Sequence, residues 1–380
     1  MKIVIAIDKF KDSASSMQIA QAATRAIHQL RPDAIVVTVP VADGGEGTVN
    51  AIAAALPHLR RSTCEVTAPR LELDPVSVEY LIDDENRTAI MELSAASGLW
   101  LVPESLRDPL KASTLGTGEM ILHAIHQGCR HIVLGIGGSA TNDCAIGILA
   151  ALGFEFLDSD QCHVFPCGEN LERIASIDDS GVSQAVKETR FTIICDVDNP
   201  LYGENGAAHI YAPQKGASPS EVEQLDQGLR HFATLMPDGV AATPGAGAAG
   251  GVGGGLMAFL HATLTPGIDA VLSALRFDQT ISDASLIITG EGRIDSQTAM
   301  GKTAGGVLRS GKRKGVPVVA ICGALDTQSQ VDDMDFDGIF SIVQHPLTLS
   351  EAMDTARCLN NVEITVKQIM KLFLSKHQQL

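Results

Sequence analysis

Four short stretches of this 380-residue chain place acidic side chains beside glycines or other small residues, each directly after an apolar run. AIVVTV leads into Asp43-Gly-Gly-Glu46-Gly47, and HIVLGI into Gly137-Gly-Ser139-Ala-Thr141-Asn142-Asp143. FTIIC leads to Asp196, with Asp198 and Asn199 beyond it, and SLIIT leads to Gly290-Glu291-Gly292-Arg293-Ile-Asp295. Glycine lets backbone N–H groups approach a ligand closely, and a helix start after it favours an anion. Carboxylates brought to one place repel one another unless a cation joins them. Mg²⁺ resolves that conflict, because it takes oxygen ligands and commonly bridges one or two carboxylates to substrate phosphates. The combination points to phosphoryl transfer from a Mg-nucleotide, with a carboxylate accepting the proton of the attacking hydroxyl.

These tips need a scaffold that delivers them to one edge. KIVIAI (2–7) is a continuous apolar run, as expected of a strand covered on both faces, and a helix recurring on Ile19, Ala23, Ile27 and Leu30 follows it. AIVVTV (34–39) predicts a second strand and 47–56 an alanine-rich helix. The texture then changes: residues 64–93 alternate apolar and polar, with turn signals at Asp74-Pro75 and at Asp84 to Asn86, as antiparallel hairpins do. Helix is expected near 117–127, from about 143, and near 218–236, 254–263 and 267–275, with strands at 131–136 and 191–195. Strand–helix units return with ASLIIT (284–289), which runs into the loop GEGRID, a helix at 301–314, strands at 316–322 and 338–343, and a helix at 349–374. The two ends resemble each other and the middle differs. This predicts one discontinuous α/β domain, 1–62 with 283–380, interrupted by a second, 63–282. In open α/β sheets ligands bind beyond the carboxyl ends of the strands, so the four loops can share a crevice.

Bulk properties narrow the partners. The net charge of −17, with no offsetting Lys/Arg cluster, argues against nucleic acid. Eight cysteines without a CxxC pair read as ordinary thiols of a reducing compartment, so a cytoplasmic location is expected. Residues 239–268 lack Asp, Glu, Lys and Arg, yet hold nine glycines and two prolines. That composition describes a glycine-rich loop and a buried helix rather than a membrane span. Gly245-Ala-Gly247-Ala-Ala-Gly250 matches G-x-G-x-x-G, but Pro244 stands where a strand should lead in. A Walker A loop is absent, since position 296 is Ser where Gly would be required ahead of Gly301-Lys302-Thr303.

Five segments in order, VADGGEGT, GIGGSATND, CDVDNP, PGAGAAGG and ITGEGRIDSQT, resemble the signature stretches of the bacterial glycerate kinase family, the type without a Walker A loop. The resemblance runs over nearly the whole chain. It implies a flavodoxin-like parallel-sheet domain interrupted by an inserted mixed α/β domain resembling restriction enzymes. It also implies ATP-dependent, Mg²⁺-requiring phosphorylation of D-glycerate, generally to 2-phosphoglycerate. On that basis Asp143 or Asp43 is the general base or a metal carboxylate, with Asp196 and Glu291 as further metal or hydroxyl partners. The metal candidates are thus Asp43, Asp196 and Glu291. Lys11, Ser139, Asn142, Arg293 and Asp8 are candidates for the substrate, and Gly137, Gly138, Gly245, Gly247, Gly250 and Gly251 for the nucleotide. The chain departs from the family at Ile7-Asp8-Lys9-Phe10-Lys11 and at Asp143-Cys144-Ala145-Ile146-Gly147, where Cys144 and Ala145 replace two usual glycines. Glycerate and ATP are then the expected small-molecule partners, with no nucleic acid and no membrane, and a homodimer stays open. A kinase of another hydroxy or sugar acid, and a non-catalytic sugar-acid sensor, are the competing readings.

Overall fold

The computed structural model describes residues 1–10, 13–39, 41, 53, 56, 58–295, 298, 303–326 and 334–377. The strands in chain order are β1 (Lys2–Ile7), β2 (Ile35–Thr38), β3 (Arg60–Val66), β4 (Val76–Asp83), β5 (Thr88–Glu92) and β6 (His131–Gly135). They continue with β7 (Glu155–Leu157), β8 (Ser176–Asp178), β9 (Arg190–Ile194) and β10 (Thr263–Thr265). The last three are β11 (Leu286–Ile294), β12 (Val318–Leu325) and β13 (Gly338–Ser341). The helices used below are α1 (Ser16–Leu30), α2 (Leu115–His126), α3 (Ile146–Ala151), α4 (Pro219–Ala233) and α5 (Ala248–Leu260). To these are added α6 (Gly267–Ala274), α7 (Thr303–Lys314) and α8 (Thr355–His377).

The chain divides into two compact units. One is Met1–Asp43 with Gly267–Leu380, and the other is Gly44–Pro266. α6 belongs to the first because it packs on α7. β3 opens the sheet of the second by pairing antiparallel with β4 from Arg60.

The first unit carries a five-stranded sheet in the order β13-β12-β11-β1-β2, parallel throughout. Renumbered within the unit, this is the flavodoxin-like order 2-1-3-4-5, with its switch point between β1 and β11. Ile3, Val4, Ile5 and Ala6 are wholly buried, so both faces of β1 are covered, as its unbroken apolar run requires. α1 and α8 pack on each other and share a core with β1 and β11. α1 starts at a capping box: the Ser15 hydroxyl accepts from the Gln18 N–H, and the Gln18 amide oxygen accepts from the Ser15 N–H at 3.0 Å. Such a cap contributes about 1 kcal/mol and fixes where the helix begins.

The second unit carries a mixed six-stranded sheet, β10-β9-β6-β5-β4-β3. β3, β4 and β5 form the antiparallel meander that the alternating segment predicts, while β5, β6, β9 and β10 run parallel. β7 and β8 make a separate two-stranded ribbon. Its core is its own, with Tyr80, Phe191 and Phe232 fully buried among aliphatic side chains. The carboxyl ends of β5, β6, β9 and β10 therefore lie along one edge.

Two expectations need correcting. GEGRID is not a loop after a strand: β11 continues to Ile294, because Gly290, Glu291, Arg293 and Ile294 stay in register with Ile321, Cys322, Ala324 and Leu325 of β12. The helix expected from about residue 143 starts only at Ile146, because Cys144 and Ala145 adopt left-handed backbone at φ 52° and 64°.

Candidate functional site

β6 ends at Gly135, and the loop that follows is held on both sides by backbone hydrogen bonds. The Leu99 N–H donates to Gly138 O and the Ala140 N–H to Ser97 O, both at 2.9 Å. On the other side the Cys144 N–H donates to Gly250 O at 3.1 Å. Gly250 has φ +73°, and a Cβ there would sit 2.1 Å from Thr141 O. Glycine is therefore required, and a side chain would push the two loops apart. Gly251 at φ +92° backs onto Cys144, and Gly247 onto the carbonyl of Pro200. Gly245 packs against Cys195 and Val197. The glycines of PGAGAAGG are thus occupied in packing chain on chain. Gly137 and Gly138 differ: both are exposed, and among the described residues nothing lies within 4 Å of where a Cβ of Gly137 would be.

The left-handed residues at 144 and 145 account for the family's usual glycines. An L side chain costs on the order of 1 kcal/mol there. Here the Cys144 thiol is fully buried and donates to Gly251 O at 3.4 Å, fastening the same two loops. Burial pushes this thiol's pKa well above its ordinary value, so it packs rather than reacts.

Asp143 is completely buried. Its Oδ2 accepts from the Thr114 N–H at 2.7 Å, the Thr114 hydroxyl at 2.8 Å and the Gly147 N–H at 3.4 Å. Thr114 precedes α2, so the carboxylate rests at the start of that helix, where the dipole favours negative charge. Burial outweighs these donors and pushes the Asp143 carboxyl up to about 6. Among the described residues, its Oδ1 has no hydrogen-bond partner, nor do the two amide atoms of the fully buried Asn142 or the Thr141 hydroxyl. Four consecutive-residue atoms left without partners at one loop are unusual in a folded interior.

Lys215 lies against the same loop. It is 2% exposed, and its Nζ donates to Ser139 Oγ at 2.8 Å and Thr141 O at 2.7 Å. Desolvation lowers its pKa to about 7, with Asp143 acting in the opposite sense. Neither Lys215 nor Thr114 was among the sequence candidates. Thr114 had a signal, since Ser113-Thr114 before a helical run reads as a helix start. Lys215, alone between Gln214 and Gly216, had none.

The structure thus brings Ser139, Asn142, Asp143, Gly250 and Gly251 together within the second unit. Asp196 stands just past β9, the neighbour of β6, and is exposed together with Asp198. In the first unit Asp8 follows β1 and accepts from the Thr303 hydroxyl at 2.9 Å, at the start of α7. Glu291, on the adjoining strand, is nearly buried and accepts from the Thr298 hydroxyl at 2.6 Å. Burial, with the nearby Glu291 carboxylate second, raises the Cys322 thiol beside it to about 12. Arg293 is mostly exposed and pairs with Asp326 at 3.3 Å and Asp295 at 3.7 Å. Lys11 and Asp43 lie outside the described residues. Among the described residues, no three His, Cys, Asp or Glu side chains gather as a metal-binding group, and no helix is long and apolar enough to cross a membrane.

The sequence pattern of the glycerate kinase family matches residues 3–374. The chain belongs to the glycerate kinase family. It is 44% identical to the glycerate kinase of Halalkalibacterium halodurans over 356 residues, covering 92% of this chain and 93% of that one. It is likewise 44% identical to the glycerate 2-kinase of Escherichia coli, covering 93% of each. A crystal structure from Salmonella typhimurium assigned as glycerate kinase 2 superposes with a TM-score of 0.82 at 41% identity, over the full length of both chains. Membership makes the chain a phosphotransferase with an alcohol group as acceptor.

Proposed function

We propose that this protein phosphorylates D-glycerate with ATP, producing 2-phosphoglycerate, and that Asp143 is the general base. The observation that carries the reading is the division of labour within the Asp143 carboxylate. One oxygen is fixed by Thr114, and the other makes no hydrogen bond among the described residues. A carboxyl near 6 is mostly ionised at neutral pH, yet basic enough to take a proton in the transition state. As the substrate hydroxyl oxygen bonds to the γ-phosphorus, the bond from that phosphorus to the β,γ-bridging oxygen breaks. The hydroxyl proton passes to Asp143 Oδ1, and ADP leaves.

The other residues position and neutralise. The exposed backbone of Gly137 and Gly138 offers room for a phosphate, with Ser139 and Asn142 beside it for the acid's own oxygens. The buried glycines at 245, 247, 250 and 251 hold that loop in place from behind. Asp196 would hold Mg²⁺, its exposed carboxylate, with Asp198 two residues further on, supplying the hard oxygen donors the ion prefers. When bound, the ion neutralises charge on the nucleotide phosphates. Asn142 and Asp143 are shielded from solvent, so this reading requires an opening of the chain over them when substrate enters. The charge balance and thiol usage fit a cytoplasmic enzyme of small anions.

Phosphorus NMR of the product formed from D-glycerate and Mg-ATP tests this reading. A 2-phosphoglycerate signal supports it; a 3-phosphoglycerate signal or unchanged ATP overturns it.

A further inference from the structure

A buried ammonium is expensive unless a countercharge or a function compensates it. Lys215 is nine-tenths and more buried, and its two hydrogen bonds go to neutral oxygens, Ser139 Oγ and Thr141 O. The charge nearest to offset it is the buried Asp143 carboxylate, which a methionine of similar size would leave without a cation, so packing alone does not account for a lysine. Its placement is rigid. Lys215 closes a short turn from Pro213, its N–H donating to Ala212 O at 3.0 Å and the Gly216 N–H to Pro213 O at 3.1 Å. Gly216, at φ +104°, has no room for a Cβ, which would lie 2.5 Å from Arg107 O.

The two oxygens that Lys215 holds lie at the start of the segment that carries the unspent polar atoms, residues 141–143. Among the described residues, Thr141 Oγ1, both amide atoms of Asn142 and Asp143 Oδ1 have no hydrogen-bond partner. Isolated polar groups buried without partners each cost on the order of 1–3 kcal/mol, so their clustering beside a buried cation marks a place built for something polar. The inventory defines that ligand. An amide supplies two donors and an acceptor, a hydroxyl supplies one donor, a carboxylate oxygen accepts, and a nearby positive charge offsets one negative charge. A small carboxylate bearing a neighbouring hydroxyl satisfies all of them.

Resting on the glycerate kinase reading above, we propose that Lys215 is the positioning residue of a buried seat for the hydroxy-acid substrate, formed by Thr141, Asn142 and Asp143. Lys215 fixes the loop through Ser139 and Thr141 and contributes the positive charge that lets a second carboxylate enter beside Asp143.

Steady-state kinetics of the full-length chain, with glycerate and ATP varied separately, test it on Lys215→Met and Lys215→Arg alongside melting temperatures. Losing a charge-assisted contact predicts that Lys215→Met raises the glycerate KM about 10- to 100-fold while the ATP KM stays within about twofold. Lys215→Arg recovers part of the loss. A Lys215→Met protein that melts earlier but keeps its glycerate KM and kcat overturns the proposal, since the lysine then only fastens the loop. Equal rises in both KM values overturn it too. Should Lys215→Met fail to fold, Lys215→Arg decides, since it keeps the charge but not the placement; a several-fold higher glycerate KM with the ATP KM within about twofold supports the seat, and an unchanged glycerate KM overturns it. Wild-type protein that makes no ADP with glycerate removes the functional reading and this inference together, whereas active wild type with indifferent variants removes the inference alone.

Discussion

Thr114 holds Asp143 twice through a single carboxylate oxygen, by its N–H at 2.7 Å and its hydroxyl at 2.8 Å, and leaves the other oxygen unengaged. The Thr114 hydroxyl in turn accepts from the Ile148 N–H at 3.0 Å, so the start of α2 and the first turn of α3 are locked through one side chain. Orientation of the proposed base thereby comes from the scaffold, before any substrate arrives.

Removing that hydroxyl should be felt in both stability and titration. Thr114→Val keeps the backbone donor but loses the side-chain one and strands the Ile148 N–H. We expect a stability loss of about 1–2 kcal/mol by denaturant unfolding. The acid limb of kcat/KM should move upward by about one pH unit, because the ionised carboxylate loses a donor. A limb that stays in place would show that Asp143 does not set it.

The raised carboxyl of Asp143 has a thermodynamic counterpart. The folded chain holds this proton more tightly than the unfolded chain does. Its contribution to stability is therefore fully present below about pH 4 and is lost as pH rises through about 6. Moving the carboxyl from 3.8 to about 6 is worth on the order of 3 kcal/mol. Asp143→Asn, which cannot ionise, should gain stability relative to wild type across that window by a similar amount. Unfolding midpoints of both proteins at pH 4.5 and 7 measure it. A constant difference would mean the carboxyl is not shifted.

Two glycines of the predicted nucleotide set should respond in opposite ways. Gly250→Ala forces a Cβ to 2.1 Å from Thr141 O at a left-handed position, and we expect a loss of more than about 3 kcal/mol with collapse of activity. Gly137→Ala meets no atom of the described residues within 4 Å, so its melting temperature should stay close to wild type. If the phosphate passes over Gly137, its ATP KM rises. Unchanged ATP kinetics in Gly137→Ala would move the phosphate elsewhere.

Much of the fold was legible because periodicity reports burial. The unbroken run of β1 announced a strand covered on both faces, and the alternation before Leu93 announced β3, β4 and β5. GEGRID misled for a physical reason: two glycines and three charges read as a turn, yet pairing with β12 keeps the strand extended through Ile294. Helix α3 began late because local backbone at Cys144 and Ala145 is left-handed, a feature that non-glycine letters conceal. Asn142 and Asp143 stood out by type and position. Thr114 and Lys215 did not, since they reach the loop after β6 from segments about 30 and 75 residues away, and only tertiary packing creates their roles.

Replacing one oxygen of Asp143 by nitrogen is the most direct test of the account. Asp143→Asn preserves shape and burial while removing the proton acceptor. Single-turnover and steady-state rates with D-glycerate and Mg-ATP should show kcat lowered by about 10²–10⁴ with KM values little changed. A variant that turns over at close to the wild-type rate would contradict the assignment of Asp143 as the base.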